Sequence, residues 1–259
     1  MSKNVIFCYS ASGNCMDIAK NIASRMHDTD IISLRYAPVK TDVTDAETVG
    51  FVFPCYAGGL PGHVEEYVRA LRVSEKAYTY GICSCAAYPG VGLAKIHEII
   101  PLDFWAVIPH ICSCIWLFPP ITMPPASIAG AEKRSEKLTA EAALHITCRH
   151  KSEKAPTAPL LNKLESSAWP KLAPLKAKKM RVSDQCVGCG QCMKLCSQAN
   201  IQIIQGKAVI GRNCIGCLSC LQYCPQEAIS LGGVTLKRKR YHNANVSAQE
   251  MRVRLTHID

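Results

Sequence analysis

The chain has 259 residues, 48% apolar and 19% charged, with a formal charge of +10 and sixteen cysteines. Such a length points to two folded units, one with a substantial core, and such a composition excludes a disordered chain. The charge raises nucleic acid as a partner, and the cysteines raise either disulfides or bound metal.

Met1 to Phe7 leads straight into a strand-like segment, without the apolar core and cleavage site of an export signal. The expectation is therefore a cytoplasmic protein of an anaerobe, its thiols serving as ligands or redox groups. Strands are expected at Val5–Tyr9, Ile31–Leu34, Val49–Pro54, Tyr78–Ser84 and Phe104–Ile111, each short and rich in Val, Ile, Tyr and Phe. Helical patterns lie between and after them, at Cys15–Met26, His63–Arg72, Val91–Ile100 and from Gly130 to about Cys148. Right-handed crossovers then give an α/β fold with a doubly wound, five-stranded parallel sheet. The most apolar stretch, Phe104 to Phe118, contains Pro109 and His110 and runs into further prolines. It is too short and too broken to form a transmembrane segment.

Residues 151–180 carry seven lysines and four prolines and read as a linker. A short helix over Leu160 to Trp169 fits inside it, with Trp169 buried against one of the domains.

After the first strand come Ser10, Ala11, Ser12, Gly13, Asn14 and Cys15, and then a helix. Glycine and small hydroxyl residues let backbone N–H groups curl around a phosphate, and the helix start adds positive potential. Helix capping is the plainer alternative. The loop after the third strand holds Pro54, Cys55, Tyr56, Ala57 and Gly58, with glycine for close approach to a flat ring and a tyrosine face for stacking. The loop after the fourth holds Ser84, Cys85, Ala86, Tyr88 and Gly90, whose backbone can offer donors to a ring edge. Ordinary packing is the alternative for both tyrosines.

Near the C-terminus a motif repeats at an offset of 28: Cys186, Cys189, Cys192 and Cys196 against Cys214, Cys217, Cys220 and Cys224. Gly188 falls on Gly216, Gln198 on Gln226 and Ile201 on Ile229, as in a duplication. Three thiolates on a tight loop reach three irons of one cubane, and the fourth comes from the other copy. One 4Fe-4S cluster is then expected on Cys186, Cys189, Cys192 and Cys224, and the other on Cys214, Cys217, Cys220 and Cys196. Loss of one ligand damages both halves. Structural zinc is the alternative, but zinc does not call for a run of three thiolates plus an exchanged fourth.

The cysteine module resembles the bacterial two-cluster ferredoxins over residues 181–235, with Ser197 where proline follows the fourth cysteine of the other copy. The first loop resembles the flavodoxin phosphate fingerprint, with Cys15 in place of threonine, over residues 3–150. Together they resemble the flavodoxin-ferredoxin fusion proteins of anaerobes, and the Arg240-Tyr241-His242-Asn243 segment resembles the end of such fusions. The resemblance implies a flavodoxin-like FMN-binding domain at 1–150, a linker at 151–180, a two-cluster ferredoxin domain at 181–235 and a basic tail at 236–259. With two clusters of about −2 each and a flavin phosphate of about −2, the net charge drops to about +4, and nucleic acid is set aside.

Eight cysteines remain. Cys83/Cys85 and Cys112/Cys114 fall at the ligand-binding edge of the expected sheet, where a thiol relay or further metal site competes with plain core packing. The apolar run Ile115 to Pro125 is expected as a lid over the flavin or a contact between subunits of a homodimer. No H-E-x-x-H or G-x-S-x-G sequence supports hydrolysis. The expected function is electron transfer between clusters, FMN and a redox partner protein. A reductase of a small-molecule acceptor and a flavin-free redox sensor are the alternatives.

Overall fold

The computed structural model describes residues 2–36, 41–111, 125–236 and 239–259. The N-terminal part runs β1 (Asn4–Cys8), α1 (Asn14–Met26), β2 (Thr29–Ser33), β3 (Asp42–Val43), β4 (Thr48–Pro54), α2 (Gly62–Ala70), β5 (Arg72–Val73), β6 (Tyr78–Cys85), α3 (Gly92–Ile99), β7 (Phe104–Pro109) and α4 (Pro125–Thr147). The five main strands lie within two residues of their expected positions. They are parallel and ordered β2-β1-β4-β6-β7, the flavodoxin-like doubly wound topology.

Alternation along the strands explains the layering. Ile6 and Cys8 of β1 face one core with Ile18, Ile22, Ala142 and Ile146 of α1 and α4, while Val5 and Phe7 face the other with Val64, Val68, Leu93 and Ile96 of α2 and α3. Helices therefore cover both sides, and β2 and β6 are buried along their full length.

The C-terminal part contains α5 (Leu160–Ala177), β8 (Met180–Val182), α6 (Gln191–Lys194), β9 (Ile201–Ile204), β10 (Lys207–Ile210), α7 (Ser219–Gln222), β11 (Ile229–Leu231), α8 (Gly233–Leu236) and β12 (Leu255–Ile258). β9 and β10 form a hairpin, and β11 pairs with β8. The 28-residue repeat is kept in the backbone. Gly188 and Gly216, Gly190 and Leu218, and Ala199 and Glu227 are matched pairs of positive-φ residues.

Two segments differ from the expectation. In the stretch read as a linker, the short helix expected over Leu160 to Trp169 runs on through Pro170 and Pro174 to Ala177 as the 18-residue α5. Packing outweighs the lost backbone bonds there: Ala173 and Ala177 are buried, and Trp169 and Ala173 lie against Gly216. The basic tail ends in β12, which pairs antiparallel with β2 and makes a sixth strand of the central sheet. Four half-exposed residues carry little pattern of their own, and the edge of β2 selects them. Among the described residues no helix is long and apolar enough to cross a membrane.

Gly50 of β4 sits across from Tyr80 of β6, and a Cβ there would overlap the tyrosine ring. Gly50→Ala should cost about 1–3 kcal/mol and lower the thermal midpoint, as overpacking does. Gly62→Ala, whose Cβ meets nothing within 4 Å, should leave the midpoint nearly unchanged in the same melt.

Candidate functional site

Three loops at the C-terminal ends of β1, β4 and β6 wall one cleft. The first supplies Ser10, Ala11, Ser12, Asn14 and Cys15; the second Pro54, Cys55, Tyr56, Ala57 and Gly58; the third Ser84, Cys85, Ala86 and Tyr88. Of the residues expected there, Gly13 and Gly90 do not line it. Gly13, at φ 96, stands with its Cα against Asn243, Val246 and Tyr223. Gly90, at φ 66, packs on the carbonyl of Gly58, to which Val91 N–H also donates (2.7 Å). That approach stitches the second and third loops together, and no residue with a Cβ fits at Gly90.

The empty space in the cleft, with the open solvent at its mouth included, is about 1080 Å³. The end of the cleft beside α1 has the chemistry to receive an anion. No side chain caps the N-terminus of α1, so a bound anion can take that place. The Asn14 side chain is held by Tyr241 Oη (2.9 Å), and Asn243 N–H donates to Ser12 O (2.8 Å), so the Tyr-His-Asn segment buttresses the loop from behind. The thiols are quiet. Burial pushes Cys55 up to about 12 and Cys85 up to about 11, and Cys15 well above the usual thiol range.

Seven further residues line the cleft: Ala87, Ile111, Glu165, Trp169, Gly216, Cys217 and Leu218. Glu165 and Trp169 come from α5, and Tyr88 donates to the Glu165 carboxylate (2.6 Å) across the mouth. The last three come from the repeated cysteine motif. Nothing in the sequence says which face of that motif meets the sheet, so its presence on the cleft had no signal.

The eight module cysteines divide between two cavities. Cys186, Cys189, Cys192 and Cys224 line one; Cys196, Cys214, Cys217 and Cys220 line the other. Each cavity thus takes three thiols from one copy and the fourth from the other copy. Backbone amides point at the sulfurs: Asn200 N–H to Cys196 Sγ (3.3 Å), Gly216 N–H to Cys214 Sγ (3.4 Å) and Ala208 N–H to Cys186 Sγ (3.5 Å). Such bonds favour thiolate ligands of a cluster. Burial raises Cys192 and Cys214 to about 11, so loading iron releases protons. Among the described residues no three His, Cys, Asp or Glu side chains converge on a point that would hold a single ion.

The second cavity abuts the sheet. Arg35, just after β2, is buried and donates from Nη1 to Ser10 O (2.5 Å) and Ser219 Oγ (2.9 Å), and from Nη2 to Leu195 O. Ser219 Oγ donates to Ala11 O (2.7 Å), and Leu195, Tyr223 and Val246 join the core beside α1. Of the leftover cysteines, Cys8 and Cys83 are buried in the cores, and Cys148 is exposed at the end of α4. Cys112, Cys114 and the apolar run at 115–124 lie outside the described residues.

Residues 178–225 match the family model of 4Fe-4S dicluster domains. No curated protein sequence matches the chain. Among solved structures the chain is similar to the rubredoxin oxygen:oxidoreductase of the anaerobe Desulfovibrio gigas, at 14% identity and TM-score 0.35 over 56% of this chain and 37% of that one. It spans little more than a third of that protein. It is also similar to an FMN-dependent NADH-azoreductase of Bacillus anthracis solved with FMN (11%, TM-score 0.38, 57% of this chain and 100% of that one). A flavodoxin from the domain Archaea is similar at 15% and TM-score 0.32, over 55% of this chain and 99% of that one. A flavodoxin-like sheet followed by a dicluster iron-sulfur domain is the arrangement of the flavodoxin-ferredoxin fusions.

Because the fourth thiol is exchanged, Cys224→Ala should empty the cavity of Cys186, Cys189 and Cys192. Iron per chain should fall from about eight to about four or fewer in anaerobically prepared protein. A full complement of iron in that variant would contradict the exchange.

Proposed function

We propose that this chain is an electron-transfer iron-sulfur flavoprotein, with two 4Fe-4S clusters in the thiol-lined cavities and FMN in the cleft. Electrons pass between them and on to a redox partner. The observation that carries this reading is Cys217, which lines both the cleft and the second cavity. Leu218 beside it lines both as well, so the two sites share a wall.

When bound, FMN supplies one- and two-electron chemistry, and the clusters supply single electrons at low potential. The residues around the cleft do the rest. Ser10, Ser12 and the start of α1 receive the phosphate, and the Gly58–Gly90 contact keeps the ring site flat. Trp169 and the Tyr88–Glu165 hydrogen bond close the side away from the sheet and limit water. Cys15, Cys55 and Cys85 stay protonated near neutral pH, so they add no charge to the wall.

Protein made and purified without oxygen should hold about eight irons and about one FMN per chain. Iron without FMN would favour a flavin-free sensor; zinc in place of iron would overturn the proposal. Rapid turnover of added quinone or nitro compounds would move the reading from carrier to reductase.

A further inference from the structure

Arg35 is among the largest fully buried side chains of the described residues, and among those residues it has no carboxylate partner. An unpaired buried charge is costly, and hydrogen bonds to neutral acceptors offset only part of that cost. The groups that act on its charge are Tyr9, Tyr36, Tyr56 and Cys217. The chain of contacts is short: Nη1 reaches Ser219 Oγ at 2.9 Å, and Ser219 Oγ lies 3.7 Å from Cys217 Sγ. Nη2 binds the carbonyl of Leu195, the residue before Cys196. The guanidinium therefore lies beside two of the four thiols of the second cavity.

The neighbouring polar groups leave its charge uncompensated. Burial pushes the Tyr9 and Tyr56 hydroxyls far above their usual range and holds His63 at about 4, so all three are neutral near pH 7. The Tyr9, Tyr56 and Ser197 hydroxyls cluster with one another, and Arg35 Nε is buried with no hydrogen-bond partner among the described residues. What completes this cluster electrically is a negative charge at the thiols, which an iron-sulfur centre with four thiolates brings. The first cavity differs. Its nearby cations among the described residues are Arg240, half-buried near Cys224 with its guanidinium bonded to the carbonyls of Glu227 and Ile229, and Lys207, exposed and paired with Asp184. Water and Asp184 screen Lys207, and partial exposure to water weakens the field of Arg240.

We propose that Arg35 is a positioning residue that sets the potential of the second cluster, holding it above the value that its buried site would otherwise impose. The inference rests on the clusters proposed above. Reduction adds one electron to that cluster and makes it one unit more negative, with no bond formed or broken and no proton moved. Burial alone disfavours that charge, whereas a fixed cation in a low-dielectric site favours it. The effect is larger at the second cavity because Arg35 is fully buried, whereas Arg240 beside the first is only half-buried. Electrons entering from a low-potential one-electron donor are thereby drawn to the cluster that shares Cys217 with the cleft.

The test is a dithionite titration, followed by EPR, of the full holo-protein and of its Arg35→Gln and Arg35→Lys variants. The Cys224→Ala protein, which keeps all four thiols of the second cavity, identifies that cluster's signal. In Arg35→Gln its midpoint should fall while the other stays in place, and Arg35→Lys should restore most of the difference. An unmoved midpoint, an equal shift of both, or a lysine variant no better than glutamine would overturn the proposal. Loss of iron from both variants would also overturn it, by assigning Arg35 to assembly alone. Absence of cluster signals from the unaltered protein would instead count against the iron-sulfur reading itself.

Discussion

The arrangement depends on the contact that seats the second half of the cysteine repeat on the C-terminal edge of the flavodoxin-like sheet. Arg35 and Ser219 tie the loop after β1 to both halves of the module, and Tyr223, Leu195 and Val246 extend the core beside α1. Once the module is docked there, Cys217 has to face the cleft. Free rotation of a tethered ferredoxin would give no such fixed neighbour, and a linker of ordinary flexibility would permit many separations. Here α5 replaces that freedom with packing, since Trp169 and Ala173 lie against Gly216 while Glu165 and Ser166 lie against Gly58 and Gly59.

Small residues make these approaches possible. Gly58, Gly59, Gly90 and Gly216 each stand where a side chain would meet backbone or a neighbouring helix. Gly58, Gly90 and Gly216 also have positive φ, which other residues adopt at a cost. The cleft is thus formed by close backbone contact rather than by large side chains. That suits a planar ligand held edge-on to a row of loops.

Much of this was legible in the residues. Five short apolar runs rich in Val, Ile, Tyr and Phe marked the parallel strands, because a sheet covered on both faces leaves few polar positions to interrupt them. The repeat at an offset of 28 pointed to two groups of four cysteines, three from one copy and one from the other, and the same groups line the two cavities. Prolines 170 and 174 hid the second half of α5, which is held by contacts to Gly216 rather than by local propensity. β12 was hidden for a similar reason, as four residues with no strong pattern are recruited by the open edge of β2. Arg35 carried no signal at all. A single arginine after a strand looks like any surface cation until the fold buries it between two sites.

The central claim is that the clusters and the flavin sit in one protein and share electrons. A stoichiometric anaerobic reduction of the purified chain, followed optically, tests it most directly. The account predicts uptake of about four electrons per chain, one for each cluster and two for FMN, with all three centres equilibrating within each addition. Uptake of two electrons or none, or a flavin that stays oxidised while the clusters are fully reduced, would contradict it.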